Sequence, residues 1–456
     1  MSGVSELCLS KLRSIFGDRV IIDEEILKQY EEDQSYIKGK PSLAVIPETS
    51  EEVEKLVEVA KEFRIPLIPR GSGTSLSGGS VPIFGGIIVD FKRMNRILDF
   101  DLNNLQVLVE PGVIYDNLND FLSKYNLFLP PNPATGDQCT IGGMLAENSA
   151  GPRSYKYGTI KNWVLGLEFI TSSVGKVWIG SRTKKWVSAY NLVSLIVGSE
   201  GTLGIITKAL LRVAPKPQYR IGISISSNNL ENAGEIIVAL TKLNIDISAI
   251  ELMDDITIAA INKVYNAGLP ESDAIILLEV EAFSSNDMDN KLEALASYLK
   301  NLGIPDENIH VYYNADEMWS KRKLAGESLE KVYGGRLDED VIVPVSLLPK
   351  TIMEIKSLSS KFNVNIAVFG HAGDGHLHPS ILVPKEKSLT PEIEKIKGNI
   401  FKIAVKNNGA LSGEHGIGIA KKQYLPLEID ANTLKLLSMI KQTLDPYNIM
   451  NPGKKI

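Results

Sequence analysis

Three of the five histidines in this 456-residue chain fall within IAVFGHAGDGHLH, residues 366–378, as His371, His376 and His378. A fourth, His415, sits in LSGEHGIG, residues 411–418. Both stretches are punctuated by glycine. Histidine is the commonest metal ligand and the usual general base near neutral pH. Clustering of this kind points to a metal and a base beside a bound molecule. His371 and His378 bracket a Gly-Asp-Gly turn and can converge from the two sides of a β-bend. A third ligand should be a carboxylate or another histidine. Asp374 is read as shaping the turn.

The rest of the chain must supply a cofactor and the walls. SLAVIP from Ser42 reads as a buried strand. Thr49 with Glu52 fits a capping box, and Val53, Leu56, Val57, Ala60 and Phe63 then follow helical spacing. IPLIPR is a second strand, so this is a βαβ-like unit. It runs into RGSGTSLSGGS, residues 70–80, where glycines let backbone approach a ligand and successive N–H groups can cradle an anion. The loop is not a nicotinamide fingerprint, because Leu76 stands where a third glycine is required, and no Gly-Lys-Ser/Thr follows to make a Walker loop. Strand-like GGIIVDFKRMNRI and LQVLVEPGV follow, then a helix carrying Ile114, Leu118, Phe121 and Leu122. The long Gly/Pro/Asn/Ser-rich stretch from Pro130 to Thr159 suits close packing against a flat ligand. LGLEFITSSVGKVWI reads as a hairpin. Residues 1–40 read as a helical lead-in with Leu7, Leu12, Ile15 and Phe16 on one face.

Length predicts two or three domains. A net charge of −6 argues against a nucleic-acid binder. Two cysteines, Cys8 and Cys139, exclude a disulfide framework or a cysteine-ligated iron–sulfur cluster held by this chain alone. No signal-like run or 18-residue apolar stretch occurs, so the expectation is a cytoplasmic protein without a transmembrane segment. Peripheral attachment at the inner face of a membrane is left open. From Tyr219, candidate strands (YRIGISIS, AIILLEVEAF, NIHVYY, EDVIVPV, NVNIAVFG) alternate with helices near 230–242, 286–302, 316–331 and 350–361. That pattern predicts an antiparallel sheet with helices on one face. Boundaries are expected near 218 and 408: residues 1–218, 219–408, and a tail of 409–456 returning to the first domain.

RGSGTSLSGG, TIGGMLAENSAG, GSEGTLGIIT, HAGDGHLH, GEHGIG and DPYNIMNPGK occur in one order. In that order the chain resembles the FAD-linked oxidases of the vanillyl-alcohol-oxidase superfamily. More narrowly, it resembles the group of glycolate oxidase catalytic subunit, D-lactate dehydrogenase and D-2-hydroxyglutarate dehydrogenase. The resemblance covers nearly everything from about residue 40. It implies an α+β fold, with a two-subdomain PCMH-type FAD-binding domain and an α+β cap carrying an antiparallel sheet. It assigns Arg70, Gly71, Ser72, Gly73, Thr74 and Ser75 to the FAD diphosphate. Thr140, Ile141, Gly142, Gly143, Ala146, Asn148 and Gly151 form a second wall, Glu200, Gly201, Ile205 and Ile206 a third, and Asn448 returns to the flavin. Thr74 stands where some superfamily members tether flavin through histidine, so non-covalent FAD is expected.

The resemblance also implies that Glu414 joins His371 and His378 on a divalent metal, zinc first, with iron or manganese as alternatives. The open positions would chelate a 2-hydroxy acid through its hydroxyl and one carboxylate oxygen. His415 would take the hydroxyl proton, hydride would pass to flavin N5, and Arg322 would meet the substrate carboxylate. His376 departs from the family's asparagine; it is a candidate fourth ligand, a hydrogen-bond donor behind the ligands or a neutral replacement, with the last as the default. Asp338 lies near the place where members acting on 2-hydroxyglutarate carry lysine, and Ser380 stands where they carry asparagine. Both departures favour D-lactate, then glycolate, over a dicarboxylate.

The expected partner besides substrate is an electron acceptor: cytochrome, quinone, electron-transferring flavoprotein or iron–sulfur subunit. A homodimer is entertained with no residue to carry it. D-2-hydroxyglutarate dehydrogenase is the alternative within the class. An alkyl-glycerone-phosphate-synthase-like transferase and a non-catalytic flavin subunit are alternatives outside it. The first carries a run of histidines that GEHG lacks, and the second lacks the histidine constellation present here.

Overall fold

Thr49 accepts the N–H of Glu52 at 3.2 Å and so starts the helix at Ser50. The reciprocal half of the box slips by one residue, since the Glu52 carboxylate accepts from Glu48 N–H at 2.8 Å and pairs with Arg19. The expected strand–helix–strand unit forms as β1 (Leu43–Val45), α1 (Ser50–Phe63) and β2 (Leu67–Arg70). A third strand, β3 (Ile87–Asp90), inserts between β1 and β2 and pairs parallel with both. The structure is a computed structural model describing residues 4–387 and 390–456. Residues 1–3 of the expected lead-in lie outside the described residues. A helix over Glu6–Phe16 does form, and Cys8, Leu12 and Phe16 bury against Val53, Leu56 and Val57. Leu7 is 61% exposed: a spacing of four favours Cys8 over Leu7 on the face shared with Leu12 and Phe16.

By contacts the chain divides into two units. The first comprises Met1–Ser149, Thr159–Pro215 and Glu414–Ile456. Its second layer is an antiparallel five-stranded sheet built from β4 (Ile97–Asp101), β5 (Gln106–Val109), β6 (Val164–Thr171), β7 (Gly175–Gly180) and β8 (Ile205–Arg212), in the order β4-β5-β8-β6-β7. The expected hairpin is β6–β7. Between β5 and β6 lies the short helix α2 (Ile141–Glu147). The C-terminal segment is fixed to β2, with Leu67 N–H donating to Ile449 O at 2.7 Å and Asn451 N–H to Leu67 O at 2.9 Å.

The second unit comprises Ala150–Gly158 and Lys216–Gly413, so a short piece of the small-residue stretch belongs with it. Its antiparallel sheet contains β9 (Tyr219–Ser227), β10 (Ile247–Asp254), β11 (Ala274–Ala282), β12 (Ile309–Tyr312), β13 (Leu337–Asp338), β14 (Val341–Ile342), β15 (Asn365–Gly370) and β16 (His376–Leu382). The order is β12-β9-β11-β10-β15-β16-β13, with β14 also on β16. Three strands have no counterpart among the candidates: β10, β13 and β16. β10, ISAIELMD, hides its period behind Ser248, Glu251 and Asp254, yet all eight of its residues are buried. Expected strand EDVIVPV shrinks to the two-residue strand β14, and expected helix 316–331 breaks at Leu324 into Ala315–Lys323 and Ala325–Tyr333. The expectation of one covered face fails for β10 and β11. Alternate residues point to opposite faces, and every residue of both strands is buried.

Candidate active site

In the first unit, β2 delivers Arg70 to the glycine-rich loop. Arg70 is buried and bridges backbone: its guanidinium donates to Ser80 O at 3.3 Å, Gln29 O at 3.2 Å and Glu32 O at 2.9 Å. Gly73, at φ +74°, lies against that guanidinium where a Cβ would collide. Thr140 caps α2 by accepting Gly143 N–H at 3.1 Å. Gly142 packs against Pro111, where a Cβ would stand 2.7 Å from the proline ring. These close approaches leave a cleft of about 1100 Å³, open mouth included, lined by Gly71, Ser72, Gly73, Thr74, Ser75, Thr140, Gly143, Ala146, Glu200 and Gly201. Arg70, Gly142, Ile205 and Ile206 line an adjoining smaller cavity that shares Gly71, Thr140, Gly143, Ala146 and Gly201 with it.

The remaining expected FAD residues lie elsewhere. Asn148 caps the end of α2 at φ +60° and accepts from Thr159 Oγ1 at 2.8 Å. Gly151 falls in the second unit. Asn448 lines a separate cavity with Lys441 and Asp445. Its near neighbour Asn451 instead donates to Gly79 O and Glu200 O, both at 2.8 Å, tying the tail to two loops of the cleft. Glu200 is a clamp: its carboxylate accepts Ile417 N–H at 2.9 Å and Gly418 N–H at 2.7 Å, fixing the GEHGIG segment. Glu414 and His415 line the cleft. So does Glu147, which the residue pattern did not single out. It is half-buried, accepts from Ser75 Oγ at 3.2 Å through Oε1, and its solvent-shielded Oε2 has no hydrogen-bond partner among the described residues. Burial, then the neighbouring Glu200, pushes this carboxyl well above its ordinary value. A cleft with glycine walls and an orphaned buried carboxyl oxygen fits a large, flat, hydrogen-bonding cofactor such as FAD.

In the second unit, β15 ends at Gly370, a tight turn spans Ala372–Asp374, and β16 begins at His376. His376 and His378 are two apart on one strand, so their rings leave the same face. Their centroids are 4.6 Å apart, and His371 stands 5.3 and 5.1 Å from them. One ring nitrogen from each lies within 4.8 Å of the others. All three histidines are buried. A donor set of converging buried imidazoles fits a divalent metal. Of the readings open for His376, strand geometry bears on its place: it sets the ring beside those of His371 and His378.

Glu251, on β10, is the residue the sequence reading missed. It is completely buried. One oxygen meets His371 Nδ1 at 2.5 Å, and the other accepts from Arg322 Nε at 2.8 Å and lies 2.8 Å from Nη2 in an ion pair. Burial pushes its carboxyl up, but His371 and Arg322 overcome that and hold it below the ordinary carboxylate range. A carboxylate on one ring nitrogen fixes the ring and leaves the other nitrogen to a ligand. Arg322 rises from helix Ala315–Lys323 and stacks on Phe369 at 4.8 Å. Glu251 takes the Nε hydrogen, so any capacity for an anion rests on the Nη hydrogens. A charge inside the apolar run AIELM was the one available signal.

Two more strand carboxylates organise the same unit. Glu279 accepts from Arg153, Arg220, Trp319 and Ser248. Burial acts to raise its carboxyl, but Arg153 and Arg220 hold it down at about 2. Glu281 accepts from Tyr157 at 2.5 Å and Lys156 at 3.1 Å. Together these bonds hold residues 150–158 on the sheet. Asp338 pairs with Arg336 and accepts from Ser380 Oγ at 2.5 Å.

The sequence matches the FAD binding domain family over residues 41–180 and the family "FAD linked oxidases, C-terminal domain" over residues 216–455. It is 33% identical over 421 residues to the glycolate oxidase subunit GlcD of Bacillus subtilis, covering 91% of this chain and 89% of that one. It is 31% identical over 464 residues to the mitochondrial D-lactate dehydrogenase [cytochrome] of Arabidopsis thaliana, covering 98% and 80%. The crystal structure of p-cresol methylhydroxylase with substrate bound superposes with a TM-score of 0.82 at 18% identity, over 99% of this chain and 97% of that one. At that identity the likeness speaks to fold. The chain belongs to the FAD-linked oxidases, and it is an oxidoreductase.

Proposed function

We propose that the chain oxidises a small D-2-hydroxy acid to the 2-oxo acid, D-lactate first and glycolate next. The observation that carries this reading is the buried histidine group with His371 held by Glu251. The names of the relatives above support the substrate class.

His371, His378 and Glu414 are the proposed metal ligands. Glu414 follows Gly413 directly. Gly413 N–H is held by Asp340 at 2.9 Å, and its Cα lies against the His376 ring. A divalent metal bound there supplies a Lewis acid that lowers the pKa of the substrate hydroxyl; zinc, iron and manganese all suit the donor types. Arg322 binds the substrate carboxylate through its Nη hydrogens and keeps its Nε bond to Glu251. His415 takes the hydroxyl proton as C2 is oxidised. FAD supplies the acceptor for the C2 hydrogen and its two electrons.

FAD is held without a covalent bond. Thr74 has no nucleophilic nitrogen, and burial pushes the Cys139 thiol in the cleft up to about 12, so it offers no thiolate at neutral pH. The Arg336–Asp338–Ser380 network spends the cation near that strand on the protein's own carboxylate, which leaves a second substrate carboxylate unserved. The reoxidant is a separate electron acceptor. The test is an anaerobic visible spectrum before and after D-lactate, L-lactate, glycolate and D-2-hydroxyglutarate. Bleaching of the flavin bands by D-lactate is expected; flavin that no hydroxy acid bleaches, with metal present, rejects the reading.

A further inference from the structure

We propose that the loop of residues 181–191 is a docking tip that seats the protein on a bilayer surface carrying anionic headgroups. This goes beyond the reading above and does not rest on it.

The loop belongs to the first unit and leaves β7, an edge strand of its sheet, for the short helix Leu192–Ile196. Both of its ends are fixed. Gln106 Nε2 donates to Arg182 O at 2.7 Å, and Arg182 pairs with Asp99 at 2.6 Å. Thr183 Oγ1 donates to Lys185 O at 2.8 Å. Asn191 caps the following helix by accepting Ser194 N–H at 3.1 Å, and Val193 and Ile196 of that helix are buried. Between those anchors stands KKWVSAY. Val187 is 95% and Tyr190 88% exposed, Trp186 is half-buried, and Lys184 and Lys185 are exposed. Single exposed apolar residues are ordinary on a soluble surface. Trp186, Val187 and Tyr190 instead come together on one anchored loop.

Charge says what this tip meets. From Phe169 to Ser199 no acidic residue occurs, in a chain of net charge −6. Lys176 and Arg182 of that run are spent on Glu51 and Asp99. Lys184 and Lys185 pair with no carboxylate among the described residues. Two ammonium groups therefore stand beside the aromatic tip without counter-charges. That combination matches a bilayer interface, where Trp and Tyr rings settle at headgroup depth and lysines meet lipid phosphates. A second copy fits less well, because a two-fold contact sets the same patch on itself and brings like charges together. An acidic protein needs a hollow shaped to the projecting side chains, and a bilayer needs none.

The test uses the FAD-loaded full chain with vesicles of phosphatidylcholine alone, or mixed two to one with phosphatidylglycerol. Cosedimentation gives the partition coefficient, and brominated lipid reads the insertion of Trp186 by quenching. Partition onto the mixed vesicles alone is expected. Each lysine near an anionic surface contributes a factor of about 5, so Lys184→Ala combined with Lys185→Ala should weaken partition about 25-fold. Salt at about 1 M, where the screening length falls to about 3 Å, should weaken it to a similar extent. Val187→Asp should weaken partition at low salt, and lipid quenching should fall sharply in Trp186→Phe. FAD content and Tm report folding of each variant and should not change. Wild type that ignores mixed vesicles, partition indifferent to the paired lysine change, or partition without quenching at Trp186 would each overturn the proposal. So would self-association at micromolar protein that Val187→Asp abolishes, since the tip would then be a contact between copies. Should a variant lose FAD, the salt dependence and quenching of wild type decide.

Discussion

Glu251→Gln is the most informative perturbation outside the metal ligands. Glutamine keeps the shape but replaces one acceptor oxygen with an amide donor. Glu251 uses both oxygens, one on His371 Nδ1 and one on Arg322. The amide can satisfy one partner and must turn its N–H₂ on the other. With no buried carboxylate left, the Arg322 guanidinium, 12% exposed, loses its counter-charge. Breaking a buried pair at one end costs about 3–5 kcal/mol. The second unit spans roughly 200 residues, for which each kcal/mol moves Tm by about 2–4 °C, so the expected drop is about 6–20 °C. His371 also loses the group that fixes its ring, and metal affinity should fall about 10- to 100-fold. The assay pairs a thermal scan of the metal-free protein, read in the second unit by Trp319 fluorescence, with metal titration and with flavin absorbance as the control. FAD content should be unchanged, since Glu251 belongs to the other unit. A variant with wild-type Tm and wild-type metal affinity would refute the view that Glu251 carries both partners.

Acid should weaken the second unit through Glu279. Its carboxyl titrates at about 2 in the fold against an ordinary 4.5, so its stabilisation is full above the higher value and drains as pH falls to the lower, on the order of 3 kcal/mol in all. Denaturant titrations between those pH values read the slope, and Glu279→Gln should flatten it while lowering stability at neutral pH. His415→Ala should abolish flavin reduction by substrate with FAD and metal retained, and near-normal turnover would remove it as the base. His371→Ala should lose metal and activity together; an active metal-free variant would sink the metal chemistry. Acid precipitation of wild type should release all flavin to the supernatant, and a yellow pellet would contradict non-covalent binding.

Local rules carried the sequence a long way. The Thr49 cap, the 3.6-residue spacing of α1 and the flanking apolar runs determine β1, α1 and β2, because each depends on neighbours in the chain. The glycines of residues 70–80 and 140–143 are equally local statements that backbone must come close to something. The four clustered histidines carry the expectation of metal and base chemistry from spacing alone. What tertiary structure decided is which side chains face one another. Glu251 is 120 residues from His371, and nothing in AIELM tells which partner makes its burial tolerable. Asn451 and Asn448 look alike in the tail, and only the pairing of that tail with β2 selects Asn451 for the cleft. His376 was read through a substitution pattern, while its place beside His371 and His378 follows from a strand period of two. Contacts close in sequence follow from backbone preference and periodicity; contacts far apart in sequence exist only once the sheets have set their register.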